Sequence, residues 1–173
     1  MKLRKNLYTF FVWWSVIGVG IYVGGTLFMM DVVNPQWSAN PPESVQFYFS
    51  QTGFNKYIGH FFGLQIAIFR NTLPILIALI LGWKSKTHRQ YLLISLSCSI
   101  AIILFTVVYI YPINEVLITK AGGDKTAGEI RLMVNQWIFA DRLRFAVNLV
   151  GYFFLLLAFR KPFDWGSKIQ KNP

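Results

Sequence analysis

The chain has 173 residues, 54% hydrophobic and 17% aromatic, with only 14% charged and a mean hydropathy of +0.44. Soluble domains carry about 25% charged residues, so the composition excludes an ordinary soluble domain and fits an integral membrane protein. The net charge of +10 is spread over chain ends and links, with no basic face or motif, which argues against nucleic-acid binding.

Four apolar runs, at about 7–30, 57–83, 91–111 and 137–159, each reach or exceed the roughly 20 residues that cross about 30 Å of hydrocarbon. The expected fold is all-α: an antiparallel bundle of four transmembrane helices forming one membrane domain over residues 1–173. The first run is too long for a cleaved signal and has no small-residue cleavage pattern after it. It contains Gly20 and Gly24 as G-x-x-x-G, a spacing that lets helices approach closely; packing within the chain is favoured over homodimerisation. The link at 31–56 contains NPQWSANPPES and is expected to be irregular. Its aromatic continuation, VQFYFSQTGFNKY, is expected to lie at the membrane interface. In the second run Pro74, lacking an N–H, should kink the helix near Arg70.

The KSKTHRQ link is short, so the second and third runs should be antiparallel neighbours. Cys98 sits in the third run among Ser95, Ser97 and Ser99. A lone cysteine excludes thiol–disulfide relay chemistry within one chain, including that of quinone-linked disulfide oxidoreductases. The link at 112–136 is loosened by Gly122, Gly123 and Gly128, while 129–136 could begin the last helix early. Lys2, Arg4 and Lys5, then Lys84, Lys86 and Arg89, then Arg160, Lys161, Lys168 and Lys171 all fall on one side of a four-span chain. That asymmetry puts both termini in the cytoplasm. The expected location is a bacterial plasma (inner) membrane, with the 31–56 and 112–136 links external.

Polar residues interrupt this pattern. NQWIFADRLRF, which opens the fourth run, places Asp141, Arg142 and Arg144 where a helix enters hydrocarbon. Each charge costs about 2.5–3.5 kcal/mol at a helix centre. Trp137, Asp141, Arg144 and Asn148 fall on one stripe, with Arg142 about 100° away and free to snorkel. His60, Gly63, Ala67, Arg70 and Pro74 make a second stripe on the second run. Arg70 and Asn148 lie at similar depth, about 17–20 Å along their runs. Asn114 and Glu115 end the third run beside Pro112.

The expectation is a hydrated, electropositive pocket between helices, open externally and suited to a hydrophobic phenolic or anionic ligand. A buried ion-pair network that merely fixes helix register is the simpler alternative, and Trp137 is as readily an interfacial belt residue as a pocket wall. His60, Glu115 and Asp141 could share a metal, but no His-x-x-x-His or Glu-x-x-His pair supports one, and the arginines oppose a cation. No metal, haem or other cofactor is expected.

YPINEVLI followed by W137-x-x-x-D141-x-x-R144 resembles the DUF1772, anthrone-oxygenase-like family of four-span membrane proteins. Pro112, Asn114, Trp137 and Arg144 match the family pattern; Asp141 stands at a polar position that is often histidine. The resemblance implies cofactor-independent oxygenation of phenolic anthrones, with dioxygen as co-substrate. In that scheme His60 or Asp141 is the base, Arg144 and Arg70 hold the anion, and Asn114 orients it; Glu115, Trp137 and Asn148 complete the substrate site. Asp141 beside an arginine is expected to stay a carboxylate and hence a poor base, which favours His60. The other readings are a non-catalytic binder of a lipid or small molecule, and an accessory subunit of a membrane complex. The expected partners are the bilayer, the small molecule, and either a second copy or a complex partner.

Overall fold

The computed structural model describes residues 2–52 and 59–162. These fold into four long helices and one short one, with no strand among them. We number them α1 (Lys2–Ser38), α2 (Glu43–Gln51), α3 (Gly59–Gly82), α4 (Lys86–Thr119) and α5 (Ala127–Arg160). The four long helices are apolar and long enough to cross a membrane. Each packs on its neighbour in sequence, and α5 closes back on α1. Large apolar side chains such as Val108, Phe139, Phe69, Ile80 and Leu104 remain exposed on the outside of the bundle, as lipid-facing helices require.

The helices outrun the apolar stretches. At 1.5 Å per residue, the 34 residues of α5 extend about 50 Å, well beyond a hydrocarbon slab of about 30 Å. The link expected to be irregular is helical through Asn34–Ser38, because the wide turn at Met29–Val33 lets α1 continue past Pro35. The start of α5 is fixed by a capping box: the Thr126 side chain accepts from the Glu129 N–H while Glu129 accepts from the Thr126 N–H. Between α4 and α5 the chain turns through left-handed backbone at Ala121, Gly122 and Gly123.

Three prolines give this bundle its particular shape. Wide π-type turns at Met29–Val33, Ala67–Thr72 and Thr106–Ile110 stand just before Pro35, Pro74 and Pro112. The last N–H before each proline bonds five residues back: Asn34 to Met29, Leu73 to Ile68, and Tyr111 to Thr106. The wide turn relieves the clash between the proline ring and the carbonyl four residues earlier. The disturbance expected at Arg70 is thus a local widening, repeated on α1 and α4.

The interior has two apolar clusters. One joins Tyr8, Val12, Ile75, Leu79, Leu92 and Leu155 near the terminal end of the bundle. The other joins Met29, Trp37, Val45, Ile113, Leu117 and Trp137 near the α2 end. Val45 and Phe49 of α2 are buried in it, with Phe49 against Trp37, while Phe47 is exposed. The aromatic segment therefore caps the bundle as well as presenting an outer apolar face; its continuation at 53–58 lies outside the described residues. Buried Asn71, Ser95, Asp141 and Asn148 belong to neither cluster.

Candidate functional site

Asp141 is only 2% exposed. A buried carboxylate must be compensated, since burial without partners is prohibitive, and both of its oxygens are engaged. Oδ1 accepts from Arg144 Nη2, one turn along α5. Oδ2 accepts from Asn34 Nδ2 at 3.0 Å. Asn34 in turn accepts from the Trp37 indole at 3.3 Å. Arg144 also donates to Thr106 Oγ1 at 3.3 Å, and its Nε is buried with no hydrogen-bond partner among the described residues. Alongside, Trp137 donates to Asn114 Oδ1 at 2.6 Å and meets Trp37 edge-on, with ring centroids 5.0 Å apart.

These groups line a partly open cavity of about 160 Å³ to which all four long helices contribute. Thr26 and Met29 come from α1; Gly59, Phe62 and Gly63 from α3; Thr106, Tyr111, Asn114 and Ile118 from α4; Trp137, Asp141 and Arg144 from α5. The sequence explains the arrangement. Pro112 forces the wide turn that begins at Thr106, and Met29 opens the corresponding turn on α1. Gly63, in extended backbone, interrupts α3 at the cavity wall. A dry cavity near 150 Å³ accommodates a benzene ring, so this volume admits one aromatic ring, with more only where the mouth is open.

The structure divides the residues singled out from the sequence. Asn114, Trp137, Asp141 and Arg144 are brought together. Asn148 is buried elsewhere, in a void of about 30 Å³ with Tyr22, Asn71, Ser95 and Cys98. Arg70 does not line the cavity; its guanidinium lies 4.9 Å from the centre of the Phe61 ring, on its own helix α3. His60 is exposed and not part of the cavity lining, although Gly59, Phe62 and Gly63 beside it are. Glu115 is half exposed and pairs with Lys120 at 3.5 Å. His60, Glu115 and Asp141 thus do not converge as a ligand set; no metal-binding group of three such side chains occurs among the described residues. The matching depths of Arg70 and Asn148 do not translate into one site, because depth says nothing of which way a side chain turns. Arg142 lines a separate outer recess with Asp31 and Pro35.

Asn34 and Thr106 escape the sequence reading. Asn34 lies in a stretch that reads as a proline-rich loop, and Thr106 in a run that reads as plain lipid-spanning helix. The available signal is a count of lone pairs: a carboxylate offers about four acceptor sites, more than the two that one arginine fills, so a buried Asp141 has room for a second donor.

No curated protein and no solved structure matches the chain. The family model of anthrone oxygenase matches residues 58–154, more than half of the chain, and covers Asn114, Trp137, Asp141 and Arg144. The α1 contributions, Thr26, Met29 and Asn34, lie outside that match. With four apolar helices and this match, the chain belongs to the anthrone oxygenase family of membrane proteins.

Proposed function

We propose that the chain is a membrane oxygenase whose Asp141–Arg144 cavity takes one ring of a hydrophobic phenolic substrate, with Arg144 holding its oxyanion. One observation carries this reading: Arg144 lines the cavity with its charge fixed by Asp141 and Thr106, while its buried Nε has no hydrogen-bond partner among the described residues. Fixed charge aimed at a developing oxyanion in a water-poor site is a large source of rate enhancement.

The chemistry for an anthrone-type substrate is balanced and needs dioxygen as the only co-substrate. A base removes a proton from the methylene between the rings, and the electron pair delocalises onto the carbonyl oxygen as an oxyanion. Dioxygen adds at that carbon, the proton returns to give a hydroperoxide, and loss of water leaves a second carbonyl. In net terms the methylene and one dioxygen become a carbonyl and one water. Of the two candidate bases, Asp141 lines the cavity and His60 does not. Asn114, which lines the cavity and accepts from Trp137, orients the ring in this scheme. We place both termini in the cytoplasm of a plasma membrane on the basic-residue asymmetry, so the cavity opens toward the external side; a reporter fused to the C terminus should be active only if cytoplasmic.

The test is oxygen uptake by the purified protein in lipid nanodiscs with 1,8-dihydroxyanthrone, corrected for spontaneous oxidation. Uptake should match anthraquinone formed, and Arg144→Lys should lower kcat by about 10²–10³-fold, as for loss of one oxyanion donor. A rate unchanged in Arg144→Lys would remove the assigned role. A second reading, a binder without turnover, is favoured by one fact: both oxygens of Asp141 are already engaged. Saturable retention of the anthrone with no oxygen uptake above background would select it.

A further inference from the structure

Asn148 belongs to the polar stripe of α5 but does not line the Asp141–Arg144 cavity. It is 8% exposed, and its Nδ2 is buried with no hydrogen-bond partner among the described residues. A buried amide donor left in that state carries its full desolvation penalty, and asparagines inside membrane bundles bond across helices to avoid it. Asn148 lines a void of about 30 Å³ to which all four long helices contribute, with Tyr22, Asn71, Ser95 and Ser99 among its walls.

Ser99 supplies the complement. Thr72 has a single hydroxyl proton and donates it to the Ala67 carbonyl at 2.9 Å. The 2.6 Å contact between Thr72 and Ser99 must therefore run from the Ser99 hydroxyl to Thr72 Oγ1, which leaves the lone pairs of Ser99 Oγ able to accept. One small space thus holds a donor without an acceptor on α5 and an acceptor with capacity to spare on α4.

The occupant follows from that pair of requirements and from size. It must accept from an amide and donate to a hydroxyl oxygen. A metal cation cannot accept, dioxygen cannot donate, and an aromatic ring needs a space of about 150 Å³. Water does both and needs only about 10–15 Å³. We infer that this void is a binding site for water, which accepts from Asn148 Nδ2 on α5 and donates to Ser99 Oγ on α4. Because Ser99 is bonded to Thr72 in the wide turn Ala67–Thr72 of α3, the bridge joins three helices in the middle of the bundle. It is a hydrated joint separate from the substrate cavity, with which it shares no wall residue among those described, and it does not rest on the reading of that cavity.

The experiment is NMR of the full chain in nanodiscs, isotope-labelled at asparagine, reading magnetisation transfer from water to the side-chain amides. The Asn148 amide, identified by its loss in Asn148→Leu, should show direct transfer with the sign of a long-lived bound water. Ser99→Ala deletes the acceptor: the Asn148 resonance should stay, which shows the fold intact, while the transfer falls several-fold. In crystals grown from a lipidic mesophase, density should stand within hydrogen-bond distance of both Asn148 Nδ2 and Ser99 Oγ. Absence of transfer in the folded wild type, undiminished transfer in Ser99→Ala, or a direct hydrogen bond between Asn148 and Ser99 in the density would each overturn the assignment.

Discussion

Arg144 and Arg70 are both arginines within apolar helices, and the bundle treats them in opposite ways. Arg144 is turned inward, tied to Asp141 and Thr106, at a cavity built by all four long helices. Arg70 stays on its own helix α3, only partly buried, with the Asn71 amide, the Phe61 carbonyl and the face of Phe61 as company. A pair of opposite charges in a low-dielectric interior is a local, mutually dependent unit; Arg70 is served by neutral acceptors alone among the described residues. Helical stripes can identify polar positions within spans, but they do not distinguish these two situations.

The comparison breaks most visibly when one partner of the inner pair is removed. Asp141→Ala strands a buried guanidinium, and breaking such a pair costs about 3–5 kcal/mol. A steep fall in the unfolding midpoint in detergent is expected. Arg70→Met removes a charge that has no ionic partner among the described residues, so its midpoint should be unchanged or raised. Equal losses in the two variants would mean that the arginines are not in different regimes.

Asn34→Ala asks how far the inner unit extends. The hydrogen bond from Asn34 to Asp141 is buried and made to a charged acceptor, a class worth about 1.5–3 kcal/mol. The midpoint should fall by less than in Asp141→Ala. The two losses should also be non-additive in the double variant, because Asn34 has little to donate to once the carboxylate is gone. Full additivity would show that Asn34 stabilises the α1 turn alone.

Asn34 also marks where sequence reasoning stops. Four helices, their antiparallel order and the cluster of Asn114, Trp137, Asp141 and Arg144 are legible because hydrophobic length and 3.6-residue periodicity are local properties. The i,i+3 pairing of Asp141 with Arg144 is equally local. Asn34 meets Asp141 across 107 residues of chain, and no local pattern encodes that meeting. Its residue neighbours, NPQ, carry loop chemistry that the wide turn at Met29–Val33 overrides. Depth groups His60 and Glu115 with Asp141, yet depth is blind to rotation about the helix axis: one points to the surface and the other to Lys120. The capping box at Thr126 and Glu129 is readable as T-x-x-E, but the apolar run, which begins ten residues later, draws the boundary away from it.

The helix contact beside Arg70 is sharpened through Gly18. Gly18→Ala would put a methyl 2.6 Å from the Arg70 carbonyl oxygen and 3.1 Å from its Cγ, so α1 and α3 must separate. Overpacking of this kind costs about 1–3 kcal/mol. Gly24→Ala meets no atom of the described residues within 4 Å and should be neutral or slightly stabilising, since alanine favours the helix. Among the described residues the G-x-x-x-G at Gly20 and Gly24 is therefore not a paired contact: Gly20 makes room for the Tyr152 hydroxyl, and a Cβ at Gly24 would meet no atom within 4 Å. The unfolding midpoint should drop in Gly18→Ala and hold in Gly24→Ala; the reverse order would mean that α1 and α3 do not meet at Gly18.

The smallest effect is expected at the start of α5. Thr126→Ala removes one half of the capping box, a change worth about 1 kcal/mol. Asp141 and Arg144 lie several turns further along the same helix, beyond the buried anchors Ile130, Val134 and Trp137. Those side chains pack in the α2-end cluster and hold the helix in register whether or not its first turn is capped. The variant should therefore unfold slightly earlier, while oxygen uptake stays at its wild-type value. A change in uptake would show that fraying at the helix start reaches the inner arginine, making the first turns of α5 part of the cavity's mechanics rather than its support.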